Sequence, residues 1–171
     1  MNRMSQQSCN GFTLIELVVI IMIISVLAVF VTANWPGLTL NLGAQTEQLA
    51  VDLRYTQSLS MTQNKRYCLK ISGNTYQIIN SATSGAVILA LGSSTVTLGG
   101  GISFGTLVPA GTAMYVFDGK GVPYYTASTT CNTANATAAT ALTTSASIPL
   151  TVSGQTRTIS ISAETGRVLV Q

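Results

Sequence analysis

The chain has 171 residues, of which 47% are hydrophobic and 8% are charged, and its net charge is +3. This length allows one membrane-length helix and one further domain of ordinary size. The positive charge is too weak to indicate nucleic-acid binding by itself, and the sequence contains no histidine for a metal site or for acid–base catalysis.

The N-terminal segment starts with eleven largely polar residues, which include one charge, Arg3, and end at Gly11. An apolar run follows and is interrupted near its start by Glu16. A carboxylate inside a membrane-length apolar segment costs about 2.5–3.5 kcal/mol on insertion scales, so its presence indicates a function. The twenty residues 12–31 would form about 30 Å of helix, which matches the hydrocarbon core of a bilayer.

Residues 11–19, which have the sequence GFTLIELVV, resemble the processing site of the type IV pilin and type II secretion pseudopilin superfamily. The resemblance implies that a prepilin peptidase removes residues 1–11 as a leader by cleaving between Gly11 and Phe12. The same enzyme would then methylate the new amino group of Phe12. Glu16 becomes the fifth residue of the mature chain, and the resemblance implies that it acts in assembly with other pilin or pseudopilin subunits.

Cleavage would create a cation on Phe12 that the precursor lacks. In a filament of helices packed side by side, this amine would approach Glu16 of a neighbouring subunit. A matched ion pair in a low-dielectric environment offsets much of the desolvation of both charges, whereas an orphan charge stays costly. Glu16 is therefore predicted to favour correctly staggered assembly over random contact in the membrane.

A secretory signal peptide is the alternative interpretation, with residues 31–33 as the cleavage site and a secreted β-domain as the product. The interruption by Glu16, the thin positive end and the length of the apolar run argue against it. We therefore predict a bacterial inner-membrane protein with one span over residues 12–33 and a periplasmic head. Membrane lipid before assembly and the inner-membrane assembly machinery are the partners that this interpretation adds.

The next segment, residues 34–64, is predicted to be the amphipathic half of the helix after a break at Asn34-Trp35-Pro36-Gly37. Apolar and small residues recur there at three- and four-residue spacing. The face that they form comprises Leu42, Thr46, Leu49, Leu53, Thr56 and Ser60. The polar residues expected to lie elsewhere on the helix are Gln45, Gln48, Asp52 and Gln63.

After residue 64 the hydrophobic period changes to two, which predicts a β-rich head over residues 65–171. Glycine-rich turns separate the strands, including one at residues 118–121 where Asp118 would cap the turn. The predicted strands are 66–71, 75–79, 87–91, 95–98, 102–104, 114–117, 122–125, 148–152, 156–162 and 167–170. The predicted fold class is therefore α+β: a long N-terminal helix packed on antiparallel sheet.

Two cysteines remain in the mature chain, Cys68 and Cys131, because Cys9 lies in the predicted leader. In an oxidising periplasm they are expected to form a disulfide that contributes about 4 kcal/mol in the chain-entropy model. Two buried free thiols are the alternative. Residues 126–147 consist almost entirely of Thr, Ser, Ala and Asn, which predicts a surface loop tethered by Cys131.

The part after the helix resembles the H-type pseudopilins and FimT-like minor pilins. The resemblance is carried by residues 49–60, 67–69, 117–121 and 159–168. It implies a minor pilin that takes part in assembly of a type IV pilus. Because of the disulfide and the Ser/Thr/Ala-rich loop, we expect a pilus for adhesion, similar to the mannose-sensitive haemagglutinin type. An H-type pseudopilin of type II secretion is the alternative.

Some FimT-like proteins bind DNA through a C-terminal Gly-Arg-x-Arg tail, which implies a DNA-uptake protein as an alternative of another class. This chain has Gly166-Arg167 but Leu169 in place of the second arginine. Arg167 is thus the candidate nucleic-acid contact, and one phosphate contact is weak and easily screened. We predict that DNA is not a partner. The few carboxylates form no recognisable constellation, so no catalytic residue, cofactor or metal is predicted.

Overall fold

A computed structural model describes residues 12–33, 37–89 and 92–171, with side chains for 12–28 and from 40 onward. The chain divides into two units, with the boundary between residues 36 and 37. The predicted leader, which ends at Gly11, lies outside the described residues, and so do residues 34–36 of the predicted helix break.

The first unit contains helix α1, Leu14–Ala33, in which the large apolar side chains up to Leu27 are exposed. The hydroxyl of Ser25 lies within this apolar helix and donates to the carbonyl of Ile21 at 2.7 Å. Within residues 12–33, 37–89 and 92–171, no helix has the length and apolar character needed to cross a membrane. The membrane span over residues 12–33 stays a prediction.

The second unit begins with helix α2, Gly37–Gln63, close to the predicted bounds. Its predicted face is confirmed, because Leu42, Thr46, Leu49, Leu53, Thr56 and Ser60 are all buried. The three hydroxyls on this face each donate to the carbonyl four residues earlier, so they enter the core without unsatisfied donors. One prediction was wrong: Asp52 lies on the buried face as well and is 4% exposed.

Six strands form the first sheet, in the order β3-β2-β1-β5-β6-β7. All their pairings are antiparallel. The β1–β2 hairpin turns at Gly73 and Asn74, as predicted, with Ser72 opposite Thr75. The strands are β1 Tyr67–Ser72, β2 Thr75–Asn80, β3 Val96–Thr97, β5 Met114–Phe117, β6 Pro123–Thr126 and β7 Thr140–Ala141.

Four strands form the second sheet, in the order β10-β9-β8-β4, also antiparallel. The two-residue turn between β8 and β9 consists of Ser153 and Gly154, and both have positive φ, as a tight hairpin of this kind requires. The strands are β4 Ser103–Phe104, β8 Ala146–Val152, β9 Gln155–Ile161 and β10 Val168–Val170.

Helix α2 packs on strands of both sheets, including β1 and β5 of the first and β8, β9 and β10 of the second. Leu49 and Leu53 of the helix belong to the same buried cluster as Phe117 and Ile159. At the far end of the second sheet, Arg54 of α2 donates to the carbonyl of Val168 at 3.2 Å. One core therefore joins the helix to both sheets.

Two predictions about the head need correction. Of the predicted strand 87–91, residues 87–89 are not in a strand, Ala86 makes an isolated bridge with Ile79, and residues 90 and 91 lie outside the described residues. Residues 126–147 are more structured than a surface loop. They contain the short helix α3, Thr133–Thr137, and strand β7, and they bury Leu142. Small residues such as Ala136 can be buried in this segment because they pack against side chains of the first sheet and need no core of their own.

Candidate assembly segment and head sites

The start of α1 is defined by Thr13, a residue that the sequence analysis did not single out. Its Oγ1 accepts a hydrogen bond from the backbone N–H of Glu16 at 3.3 Å, and its carbonyl accepts from Leu17 at 3.2 Å. Thr13 is therefore the N-cap of the helix. The spacing Thr-x-x-Glu is that of a capping box, and this pattern was available in the sequence.

Phe12 lies before the cap, outside the helix, and its side chain is exposed. Glu16 is also exposed and lies in the first turn of α1, where the helix dipole favours a negative charge. The helix start thus places an exposed carboxylate one turn from the residue predicted to carry a new amine. Pairing between Phe12 and Glu16 of a neighbouring subunit stays a prediction.

The predicted disulfide is present between Cys68 of β1 and Cys131, with the two Cα atoms 6.3 Å apart. Successive side chains of β1 face opposite sides of the first sheet. Tyr67 and Leu69 belong to the cluster around α2, whereas Cys68 belongs to a second cluster with Val116 and Cys131. The disulfide therefore fastens the segment after Cys131 to the side of the sheet opposite α2.

Further contacts hold this segment on the sheet. The side chain of Asn132 caps α3 by accepting from the backbone N–H of Asn135 at 2.8 Å. Arg66 donates to the carbonyl of Ala136, and its guanidinium lies 4.9 Å from the ring centre of Tyr124. A cation over an aromatic face is a favourable contact. The disulfide and Arg66 thus attach the segment to the sheet, and the Asn132 cap orders α3 within the segment.

Asp52 is a buried carboxylate that the sequence analysis placed on the wrong face. Its Oδ2 accepts from the hydroxyl of Tyr76 at 2.6 Å, and its Oδ1 accepts from Nε2 of Gln48 at 3.2 Å. Burial, followed by the hydrogen bond to Asp52 and its charge, raises the pKa of Tyr76 well above its usual value. The phenol is thereby kept protonated as a donor. Residues 49, 52, 53 and 56 follow the i, i+3, i+4, i+7 pattern of one helix face, which could have revealed this position.

The C-terminal half of α2 is tied to two turns by Gln57. Its Nε2 donates to the carbonyl of Gly121 at 2.9 Å and to that of Thr165 at 2.8 Å. In the first of these turns, Oδ1 of Asp118 accepts from the backbone N–H groups of Lys120 and Val122, both at 2.9 Å. This confirms the predicted capping role of Asp118.

Gly166 lies in the second turn with a φ of +66°, and a Cβ there would approach Nε2 of Gln57 to 2.5 Å. The neighbouring Arg167 is exposed, and its contact with nucleic acid stays a prediction. Within the described parts of the chain, no three side chains of the metal-binding types come together. In the described head, Gln57 therefore holds two turns on α2, and the disulfide holds Cys131 on β1.

Comparisons with known proteins agree with this geometry. Residues 6–32 match the family described as the prokaryotic N-terminal methylation motif. A search of the curated proteins found no match. Among solved structures, the type IV minor pilin FimU of Pseudomonas aeruginosa is similar in two crystal forms, with 17% sequence identity and a TM-score of 0.51 in each.

The match covers 83% of this chain in one crystal form and 76% in the other, and 92% of the FimU chain in both. At this identity the similarity establishes the fold alone. The predicted α+β, pilin-like fold is confirmed. The methylation motif is an independent finding, because it rests on the sequence around α1.

Proposed function

We propose that the chain is a type IV minor pilin, because the methylation motif and the pilin-like fold together support membership of the type IV pilin superfamily. The observation that carries the proposal is the match of residues 6–32 to the methylation motif, with Glu16 in the first turn of an apolar helix. The function is structural: the subunit takes part in assembly of a type IV pilus.

Processing comes first in this proposal. A prepilin peptidase cleaves after Gly11 and methylates the amino group of Phe12. The cap at Thr13 supports this assignment, because it starts the helix at Leu14 and leaves Phe12 outside the helical hydrogen bonds. The peptidase thus meets a residue whose backbone does not have to be unwound from α1.

Assembly is the second step. The large aliphatic side chains of α1 are exposed in the single chain, and a contiguous apolar surface of this kind marks an interaction site. Neighbouring pilin subunits would cover it in the fibre, and membrane lipid would cover it before assembly. The exposed carboxylate of Glu16 pairs with the amine of Phe12 on the next subunit, which offsets the desolvation of both charges.

The disulfide in the head supports a periplasmic location for this part of the chain. Disulfides form and persist in oxidising compartments such as the bacterial periplasm. The buried Cys68–Cys131 bond supports a periplasmic head on a chain anchored in the inner membrane. The inner-membrane assembly machinery is then the partner that moves the subunit into the fibre.

Mass spectrometry of the purified protein from its natural host tests the processing step directly. The expected mature N-terminus is N-methylphenylalanine at Phe12. A mature chain that starts at Asn34 would instead indicate signal-peptidase cleavage and would overturn the pilin assignment. The precursor isolated from a host that lacks prepilin peptidase is the matched control, because it should retain residues 1–11.

Deletion of the gene tests whether the subunit serves a type IV pilus or type II secretion. A minor pilin predicts loss or reduction of surface pili while secreted proteins are released normally. Normal piliation with a secretion defect would contradict the pilus assignment and would favour the H-type pseudopilin. Complementation with the wild-type gene is the control for both phenotypes.

A further inference from the structure

A cleft of about 460 Å³ lies on the head between α2 and the segment after β2. Helix α2 contributes one wall, and Ile88 and Leu89 contribute the other. The second wall is fixed in place because the N–H of Val87 donates to the carbonyl of Ile78 at 2.8 Å, and Leu89 is buried in the core. The lining residues are Gln48, Val51, Asp52, Tyr55, Ile88 and Leu89.

The rim of the cleft is apolar and open to solvent. Ile88 is 71% exposed, and Val51 and Tyr55 on the facing helix are exposed as well. These three exposed side chains are not part of the buried cluster that Leu89 joins. Large apolar side chains grouped around a cleft are typical of a surface that another molecule covers.

The floor of the cleft has the opposite character. Asp52 is 4% exposed, and the donors recorded for its two oxygens, Gln48 and Tyr76, are uncharged. A carboxylate can accept about four hydrogen bonds, so the hydrogen bonds from Gln48 and Tyr76 use about half of the capacity of Asp52. Buried carboxylates are rarely found without a paired cation or a metal, and these two neutral donors supply hydrogen bonds but no countercharge.

We propose that this cleft receives one lysine or arginine side chain of a neighbouring subunit in the fibre. The charge complementarity is specific: the aliphatic stem of such a side chain covers Val51 and Ile88 while its cationic end reaches Asp52. The ring of Tyr55 at the rim adds a surface that attracts cations. A divalent metal ion fits less well, because one carboxylate is too few for calcium.

The identification of the bound side chain as part of a neighbouring subunit rests on the proposed function, because only a fibre supplies adjacent subunits. Binding of a cationic side chain by the cleft does not rest on the proposed function, because it depends on residues of the head alone. The test therefore uses a small probe with the full-length chain in detergent micelles. The probe is Nα-acetyl-lysine methylamide, and the matched uncharged compound is Nα-acetyl-norleucine methylamide.

Backbone amide chemical shifts of Val51, Tyr55 and Ile88 report binding. We expect saturable shifts with the lysine compound and an apparent Kd for the norleucine compound that is about tenfold or more higher, as for loss of one partly desolvated ion pair. Asp52→Asn keeps the shape and an acceptor for Tyr76, and it should abolish the difference between the two compounds. Glu47→Gln removes an exposed carboxylate from the same helix and should leave it unchanged.

Ile88→Lys keeps the test decisive if Asp52→Asn does not fold. It supplies a tethered ammonium at the rim and retains the carboxylate, so it should block binding of the lysine compound. Equal affinity for both compounds, or undiminished lysine binding in folded Ile88→Lys, would overturn the inference. Either result alongside methylated Phe12 would leave the pilin assignment intact, so the two failures are distinguishable.

Discussion

Leu14 of α1 is 83% exposed, whereas Leu49 of α2 has no exposed surface, although both are leucines in long helices. The difference extends to the surroundings. The large apolar side chains of α1 up to Leu27 are exposed in the single chain, while those of α2 on its inner face share a core with two sheets. The inner face of α2 thus completes its packing within the chain, and the apolar side chains of α1 up to Leu27 do not.

This contrast separates two kinds of stability. The head obtains its stability from contacts within one chain, so substitutions there should change the free energy of unfolding. The apolar surface of α1 needs neighbours, so substitutions there should change assembly and leave unfolding of the head unaffected. Each of four changes should therefore act on only one of these two kinds of stability.

Glu16→Val should abolish or nearly abolish incorporation into the fibre, because the amine of Phe12 on the next subunit loses its partner. Processing should be unaffected, and the midpoint of denaturation of the head should stay the same. Immunoblots of sheared pili and of the membrane fraction measure the two quantities. Glu47→Gln, an exposed carboxylate on α2, is the matched control. Normal incorporation of Glu16→Val would contradict the charge pairing.

Replacing both Cys68 and Cys131 by alanine should lower the free energy of unfolding by about 4 kcal/mol. The physical reason is the entropy that the unfolded chain regains when a loop with a sequence separation of 63 residues is opened. Guanidinium denaturation measures the loss, and the reduced wild-type protein is the control. A loss below about 1 kcal/mol would contradict the chain-entropy estimate for this disulfide.

Gly166→Ala should destabilise the head by about 2–4 kcal/mol, since it adds overpacking to an unfavourable positive φ. The added Cβ would approach Gln57 and the carbonyl of Gly121 to 2.5 Å. Gly73→Ala is the matched control, because Gly73 has a similar φ of +57° and open space around it. That variant should lose about 1–2 kcal/mol. Equal losses would mean that the turn around Gly166 gives way at little cost.

Alkaline pH should destabilise the head through Tyr76 and Tyr115. Burial raises the pKa of both phenols above the usual value, and the hydrogen bond to Asp52 adds to this for Tyr76. Below about pH 10 both groups are protonated in the folded and unfolded states. Above it the unfolded chain loses these protons first, so stability falls by about 1.4 kcal/mol per pH unit for each tyrosine.

Denaturation curves recorded between about pH 8 and about pH 11, at intervals of roughly one pH unit, measure this slope. Tyr115→Phe should remove about half of the slope, and Tyr55→Phe, at an exposed position, should leave it unchanged. A flat profile would show that the two phenols ionise in the folded head as easily as in the unfolded chain.

The sequence predicted most of the regular structure, because periodicity records which side chains face a core. The face of α2, the β1–β2 hairpin and the strands around the Ser153-Gly154 turn were found in this way. The strand prediction was wrong for residues 87–89, where the pattern of apolar residues did not distinguish buried Leu89 from exposed Ile88. Periodicity reports hydrophobicity and does not report whether a strand has a partner.

The candidate sites divide in the same way. The roles of Phe12 and Glu16 stay predictions, and they could be made from sequence because they depend on a short local motif. Asp52 was misplaced because a charged residue on a buried face becomes plausible when its partner is known, and Tyr76 lies 24 residues away. The order in residues 126–147 was missed for a related reason, since alanines in this segment are buried against a sheet formed by other parts of the chain.

The bond from Arg54 to the carbonyl of Val168 joins residues that are 114 positions apart. At a synthesis rate of about 5–20 residues per second, β10 is made roughly 6–23 s after the part of α2 on which it packs. Until the end of that interval, the strands β8, β9 and β10 cannot all cover the inner face of α2. The subunit is therefore exposed to chaperones and proteases for seconds in every round of synthesis, and the last hairpin to be made ends that exposure.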